Sequence, residues 1–226
     1  MPTPANALDI TSSGYVKFDG TNSFSGVTKV PIADGGTNAN SFGTSNGIVT
    51  YNGTSLVTTA GSTMASGVWS NTNQPFLYAQ QLTPQSNCTG DGTTVVVICD
   101  NIVTQQGGSN YNNATGVYTI PSTGVYLITC SVGFTGITTD MTAANIAICQ
   151  GTDGNNNYLQ KQFNPANYMS SANEFTESCD IILYLTASTT ISIQATISFG
   201  AKVASTKQYY GAKAWGYTTF TLAKLF

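Results

Sequence analysis

Residues 111–130 read YNNATGVYTIPSTGVYLITC. Two apolar runs flank Pro121-Ser122-Thr123-Gly124. Proline fixes φ and glycine tolerates either sign of it, so this tetrapeptide reads as a chain reversal. Beyond it, Tyr126, Ile128, Cys130, Val132 and Phe134 fall at every second position. Two is the period of a strand with one buried face. Residues 191–199 repeat the pattern: Ile191, Ile193, Ala195, Ile197 and Phe199 alternate with Ser192, Gln194, Thr196 and Ser198.

Reading outward, the same texture covers PFLYAQ, TVVVICDNIV, GVYTI, AANIAICQ, FTESCDIILYL and the terminal AWGYTTFTLAKLF. No window carries a helical period with caps. Roughly eight strands in about 150 residues predict a two-sheet sandwich or jelly roll over 75–226. Residues 1–74 are a different text, with short β-like snatches broken by turns. Asp-Gly or Asn-Gly recurs at 19–20, 34–35, 46–47 and 52–53, pairs that accept positive φ in tight turns. Such snatches bury little within one chain, and three copies winding together would cover one another's apolar side chains. The expectation for 1–74 is a β-rich attachment and shaft segment; the alternative is a flexible polar extension.

Composition narrows the function. The 226 residues are 41% hydrophobic but only 8% charged, with net charge -3, seven Lys, no Arg and no His; about 25% charged is usual. Scattered lysines argue against nucleic acid, which needs clustered cations. The opening MPTPANALDITSSG has neither a basic nor an apolar leader region, so no Sec-type signal is expected in it. No apolar run reaches the length of a membrane span. Localisation on a virion surface or outside the cell is expected. GTSNG at 43–47 fits a nucleophile-elbow pattern, but a Ser-His-Asp triad needs a histidine. No paired-acid or phosphate-loop signal appears either, so no enzyme and no catalytic residue is expected. The N-x-T triplets at Asn52, Asn87 and Asn113 read as turn chemistry. The five cysteines, Cys88, Cys99, Cys130, Cys149 and Cys179, have no CxxC spacing. They read as buried reduced thiols, with Cys88–Cys99 the one pair to test as a bridge.

Gly116, Tyr118, Thr119, Pro121, Gly124 and Tyr126 give the opening stretch a family likeness: GVYTIPSTGVYLITCSVGF resembles the C1q/TNF-like head domain. The Gly-Asp turn common in that family is replaced here by Ser188-Thr189, and the last strand, Phe220-Thr221-Leu222, lacks the family's glycine. IADGGTNANSFGTSNGIVTYNGTSLVTTAGS resembles the Gly-Gly-Thr segments of phage tail fibres and giant-virus fibres, carried by Gly35, Gly36, Thr37, Asn46, Gly47, Tyr51, Asn52, Gly53 and Thr54. Together these imply an all-β, homotrimeric, C1q/TNF-like jelly-roll head on a fibre segment. Tyr118, Tyr126, Trp215, Tyr217 and Phe220 become candidate core and trimer anchors. Asn155, Asn157, Tyr158, Asn164, Asn167 and Tyr168 become candidate ligand loops for a host-surface glycan or protein. No cofactor is expected; the resemblance keeps Ca²⁺ open, with Asp153 as the candidate in TDGNNNYLQ. The implied role is a structural and adhesive virion fibre. The alternative is a self-polymerising bacterial filament or spore-coat subunit whose N-terminal segment adds a strand to its neighbour.

Overall fold

The computed structural model describes residues 15–18, 24–27, 47–51, 53–54, 56–65, 68–154, 156–208 and 218–226. The chain divides into two compact units, Met1–Asn73 and Gln74–Phe226. In the first, β1 (Tyr15–Phe18) and β2 (Phe24–Val27) form an antiparallel pair. Strands β3 (Gly47–Tyr51), β4 (Leu56–Ala65) and β5 (Val68–Asn71) form an antiparallel meander. The Asp-Gly pairs at 19–20 and 34–35 lie outside the described residues.

The second unit is a sandwich of two antiparallel sheets, the jelly roll the sequence predicts. One sheet runs β14 (Glu174–Leu185), β11 (Gly124–Thr135), β17 (Thr219–Lys224), β6 (Phe76–Gln80), β8 (Asn101–Gln106), with β16 (Ser205–Thr206) on β11. The other runs β13 (Asn157–Phe163), β12 (Ala143–Gln150), β15 (Thr190–Ser198), β10 (Val117–Thr119), β9 (Tyr111–Asn112), with β7 (Thr94–Val96) also on β15. Apart from the β9–β10 and β12–β13 pairs, neighbours in each sheet are not consecutive in sequence, so the chain crosses between the sheets at both ends. Among the described residues there is no α-helix, only a 3₁₀ turn at Pro165–Asn167.

The period-two residues form the core. Tyr126, Ile128, Val132 and Phe134 of β11 are at most 1% exposed. They face Ile146, Ile148, Ile191, Ile193 and Ile197 from the opposite sheet, all buried in the same cluster. Tyr111 meets Phe220 edge-on at 5.7 Å between ring centres. The reversal after β10 is held by Tyr126, whose hydroxyl donates to the Ser122 carbonyl at 2.6 Å. Ser188 N–H donates to Ile120 O at 2.8 Å, tying beside it the turn between β14 and β15, which crosses from one sheet to the other and is not a hairpin.

Four strands exceed the eight expected, among them the two-residue β9 and β16. TVVVICDNIV divides into β7 and β8, because Cys99 and Asp100 turn the chain between sheets. Asp100 fixes that crossing, accepting from Leu82 N–H at 2.6 Å and from Thr83 N–H at 3.2 Å. NYLQKQF, which the sequence reading leaves in a loop, is strand β13. Asn157 and Tyr158 are therefore its first two residues.

Chain direction gives the sandwich a base and an apex. At the base, Lys224 N–H donates to Pro75 O at 2.9 Å and Val125 N–H to Phe226 O at 2.8 Å. At the apex lie the β11–β12, β13–β14 and β15–β16 connections.

Candidate functional site

The outer face of the β14–β11–β17–β6–β8 sheet changes character along its length. Ile182 pairs with Leu127, Leu127 with Ala223, and Ala223 with Phe76. One step towards the base, Tyr184 pairs with Val125. One step towards the apex, the corresponding row is Asp180, Thr129, Thr221 and Tyr78. Side chains alternate across a sheet, and Ile181 and Leu183 pack against the core, so Ile182 and Tyr184 point outward. They are 60% and 70% exposed, and the nearby Phe226 is 80% exposed. The basal half of this face is a continuous apolar surface that one chain leaves uncovered.

The outer face of the other sheet is polar. Ser192 and Gln194 are buried there under the β12–β13 loop: Ser192 Oγ donates to Gly151 O at 2.5 Å, and Gln194 Nε2 donates to Ser192 Oγ at 3.3 Å. Cys149 Sγ donates to Asn157 Oδ1 at 2.9 Å, and burial pushes its pKa up to about 11. At the apical end of this face a groove of about 410 Å³ is lined by Asn145, Gln162, Phe163, Thr196 and Ser198, among others. Beside it stands Phe199, 72% exposed with φ 77°. A bulky side chain in the left-handed region is a genuine outlier.

The open side between β13 and β14 is closed by side chains. Lys161 Nζ donates to Glu177 Oε1 at 2.6 Å. Phe163 meets Phe175 edge-on at 5.3 Å, and Phe175 stacks on Phe134 at 5.3 Å. Tyr168 adds a fourth ring, edge-on to Phe163 at 6.2 Å, yet stays 64% exposed. Asn164 caps the 3₁₀ turn beneath it, accepting from Ala166 N–H at 3.0 Å.

The predicted residues separate into distinct places. Tyr118, Tyr126 and Phe220 are at most 1% exposed within the single chain, so they anchor its core and offer no surface to a neighbour. Trp215, Tyr217 and Asn155 lie outside the described residues. Asn157 and Tyr158 open β13 at the base, whereas Asn164, Asn167 and Tyr168 follow its other end at the apex. Seven residues of strand set these groups about 20 Å apart, so they do not make one site. Asp153 is exposed on the basal loop; among the described residues no three His, Cys, Asp or Glu side chains are grouped to hold a metal ion. Ile182, Tyr184 and Leu127, absent from the predicted set, had a signal: in DIILYL both strand phases are apolar, so both faces need cover.

All five cysteines are free thiols. Cys130 and Cys179 stand directly opposite one another on β11 and β14, with their sulfurs 3.2 Å apart. Hydrogen bonding with Cys179, then burial, raises the pKa of Cys130; the hydrogen bond from Cys130 lowers that of Cys179 against its burial.

No protein-family model matches the chain, and no curated protein does. Solved structures do. Murine APRIL at pH 5.0 is 15% identical, with TM-score 0.47 over 67% of this chain and 99% of that one. Murine APRIL at pH 8.5 is 12% identical, with TM-score 0.45 over the same shares. The globular domain of zebrafish complement 1qA is 12% identical, with TM-score 0.45 over 68% of this chain and 98% of that one. The fold assignment itself rests on the strand order. Among the described residues no helix is long and apolar enough to cross a membrane.

Proposed function

We propose that this chain is a non-enzymatic, homotrimeric fibre protein of a virion or phage, adhesive through its C-terminal head. The supporting observation is the uncovered apolar half-face around Ile182, Tyr184, Leu127 and Phe226. Contiguous exposed apolar surface marks an association site. A cyclic trimer closes, so each copy's face is used once and none is left to extend the assembly. The resemblance to the C1q/TNF-like family supports three copies rather than two. In this reading residues 1–74 wind with their sister copies into the stem.

Adhesion belongs to the apex, away from the base where the chain enters the head. There Asn164, Asn167 and Tyr168 border the β13–β14 opening, and Phe199 stands beside the polar groove. Amide and hydroxyl groups beside exposed aromatic rings suit a glycan, and three copies on one axis let weak contacts add through multivalency.

The test is the solution mass, by light scattering, of the full chain and of a fragment beginning at Gln74. Three chain masses for both supports the trimeric fibre. Long polymers of the full chain, with discrete trimers of the fragment, assign the chain to a self-polymerising filament instead. Monomers for both overturn the reading.

A further inference from the structure

We propose that Cys130 and Cys179 are a covalent modification site, which a small-molecule disulfide oxidises to a cross-strand disulfide stapling β14 to β11. Register carries this first. The two residues are directly opposite in an antiparallel pair, between Thr129–Asp180 on one side and Ser131–Ser178 on the other. Directly opposed residues have Cα atoms about 4.5 or 5.5 Å apart, according to the pair type. Both separations lie within the roughly 4.4–6.8 Å that a disulfide spans. Both side chains lie on the inner face, 4% and 6% exposed, with their sulfurs 3.2 Å apart. Bonding requires closure of only about 1 Å, to about 2.05 Å. That lies within the reach of χ rotation, with no shift of register.

The reaction balances with the disulfide as oxidant. Cys179 Sγ, as thiolate, attacks one sulfur of the small disulfide and expels its partner as a thiolate. The mixed disulfide on Cys179 is then attacked by Cys130 Sγ, which expels the second thiolate. Two electrons pass from the cysteines to the reagent, and the two cysteine protons end on the released thiols. Cys179 suits the first attack: the hydrogen bond from Cys130 favours its thiolate, and Lys161 adds positive charge nearby. Access comes from topology, because β14 is the edge strand of its sheet and edge elements open locally at lower cost than the core. The other buried thiols are poorly placed. Burial pushes Cys99 up to about 12 and Cys149 to about 11, and neither faces another cysteine across a strand pair.

The full native chain is incubated with glutathione disulfide, blocked with iodoacetamide, unfolded, and digested without reductant. The expected product carries a peptide pair joined through Cys130 and Cys179. Three of the five cysteines are then alkylated or carry glutathione, and reductant separates the pair. The same chain unfolded and oxidised in parallel confirms that the reagent is active. Cys130 and Cys179 recovered unlinked under that control, or either one joined to a different cysteine, overturns the proposal. In the Cys130→Ala variant the first step has no second, so Cys179 is expected to retain one glutathione. A Cys179 without glutathione in a folded variant contradicts the proposed order of attack.

Discussion

Replacing Ile182 and Tyr184 together by serine removes the two strand residues that point their apolar side chains outward from β14 in the basal half-face. A buried tyrosine covers about 150–250 Å², and Tyr184 is 70% exposed. A neighbour can therefore bury about 105–175 Å² of it, which at about 25 cal/mol/Å² is about 2.6–4.4 kcal/mol. Ile182, 60% exposed, adds about 1–2 kcal/mol by the same scale. The lower end of the sum, about 3.6 kcal/mol per subunit, corresponds to about 400-fold in the association constant. Neither side chain belongs to the core of the single chain, so its fold should survive. The assay is sedimentation or light scattering across a concentration series, with circular dichroism as the check on folding. The wild type is expected at three chain masses and the double variant at one, over the same micromolar range and with the same β spectrum. A folded double variant that still runs at three chain masses removes this face from the interface, and with it the main support for the trimeric reading.

Two tyrosines of similar burial should respond oppositely to loss of the hydroxyl. Tyr126→Phe forfeits the bond to Ser122 O and should cost about 1 kcal/mol in urea unfolding. The Tyr118 hydroxyl is buried and makes no well-formed hydrogen bond; the Asn110 side chain beside it acts to lower its pKa, but burial outweighs this and pushes it up to about 12, so Tyr118→Phe should be neutral or stabilising. Ser188 sits in the left-handed region at φ 69°; Ser188→Gly relieves it and should raise stability by about 0.5–1 kcal/mol, read as a higher melting midpoint. At Asp100, partial burial raises the pKa, but hydrogen bonds from Thr83 and Leu82 outweigh it and hold the value below 3.8. A depressed folded pKa contributes stability that is complete above the unfolded value and lost as pH falls through the folded one. Asp100→Ala should therefore be less stable than wild type at neutral pH, and the gap should narrow below about pH 4; a constant gap in acid titrations contradicts this linkage.

The sandwich was legible because its interior strands obey period two: β11 buries its apolar phase, and β15 buries Ile191, Ile193, Ala195 and Ile197, although Ser192 and Gln194 of its polar phase are buried too and Phe199, next in the apolar phase, turns out to solvent. β13 escaped because Lys161 occupies an inward phase between Leu159 and Phe163. Its ammonium group reaches the gap between the sheets and pairs with Glu177, a long-range contact that no local pattern contains. The turn after β14 departs from the family's Gly-Asp, and Ser188 takes the positive φ itself. The uncovered apolar face went unread for a different reason. Tyr118 and Tyr126 fall in the recognisable motif and Phe220 in the last strand, and all three are aromatic, but burial in one chain's core exhausts their surface. The uncovered residues sit in DIILYL, where both phases are apolar and sequence does not say which phase turns inward. The candidate ligand loops are near in sequence, but the seven-residue strand between them carries Asn157 and Tyr158 to one end and Asn164, Asn167 and Tyr168 to the other.

The position of β6 sets how the head bears load. Pulled from residue 74, the chain transmits force into β6, which is hydrogen-bonded along both edges, to β17 and to β8. Its neighbours are antiparallel to it, so tension along β6 loads both ladders in shear, with every bond strained together instead of one after another. Gln74 Nε2 also donates to Lys224 O at 2.5 Å, so the first slip of the strand also drags on β17. A domain anchored this way yields late under a steady pull, and a force-extension trace from residue 74 to the apex should show a single cooperative rupture instead of a staircase.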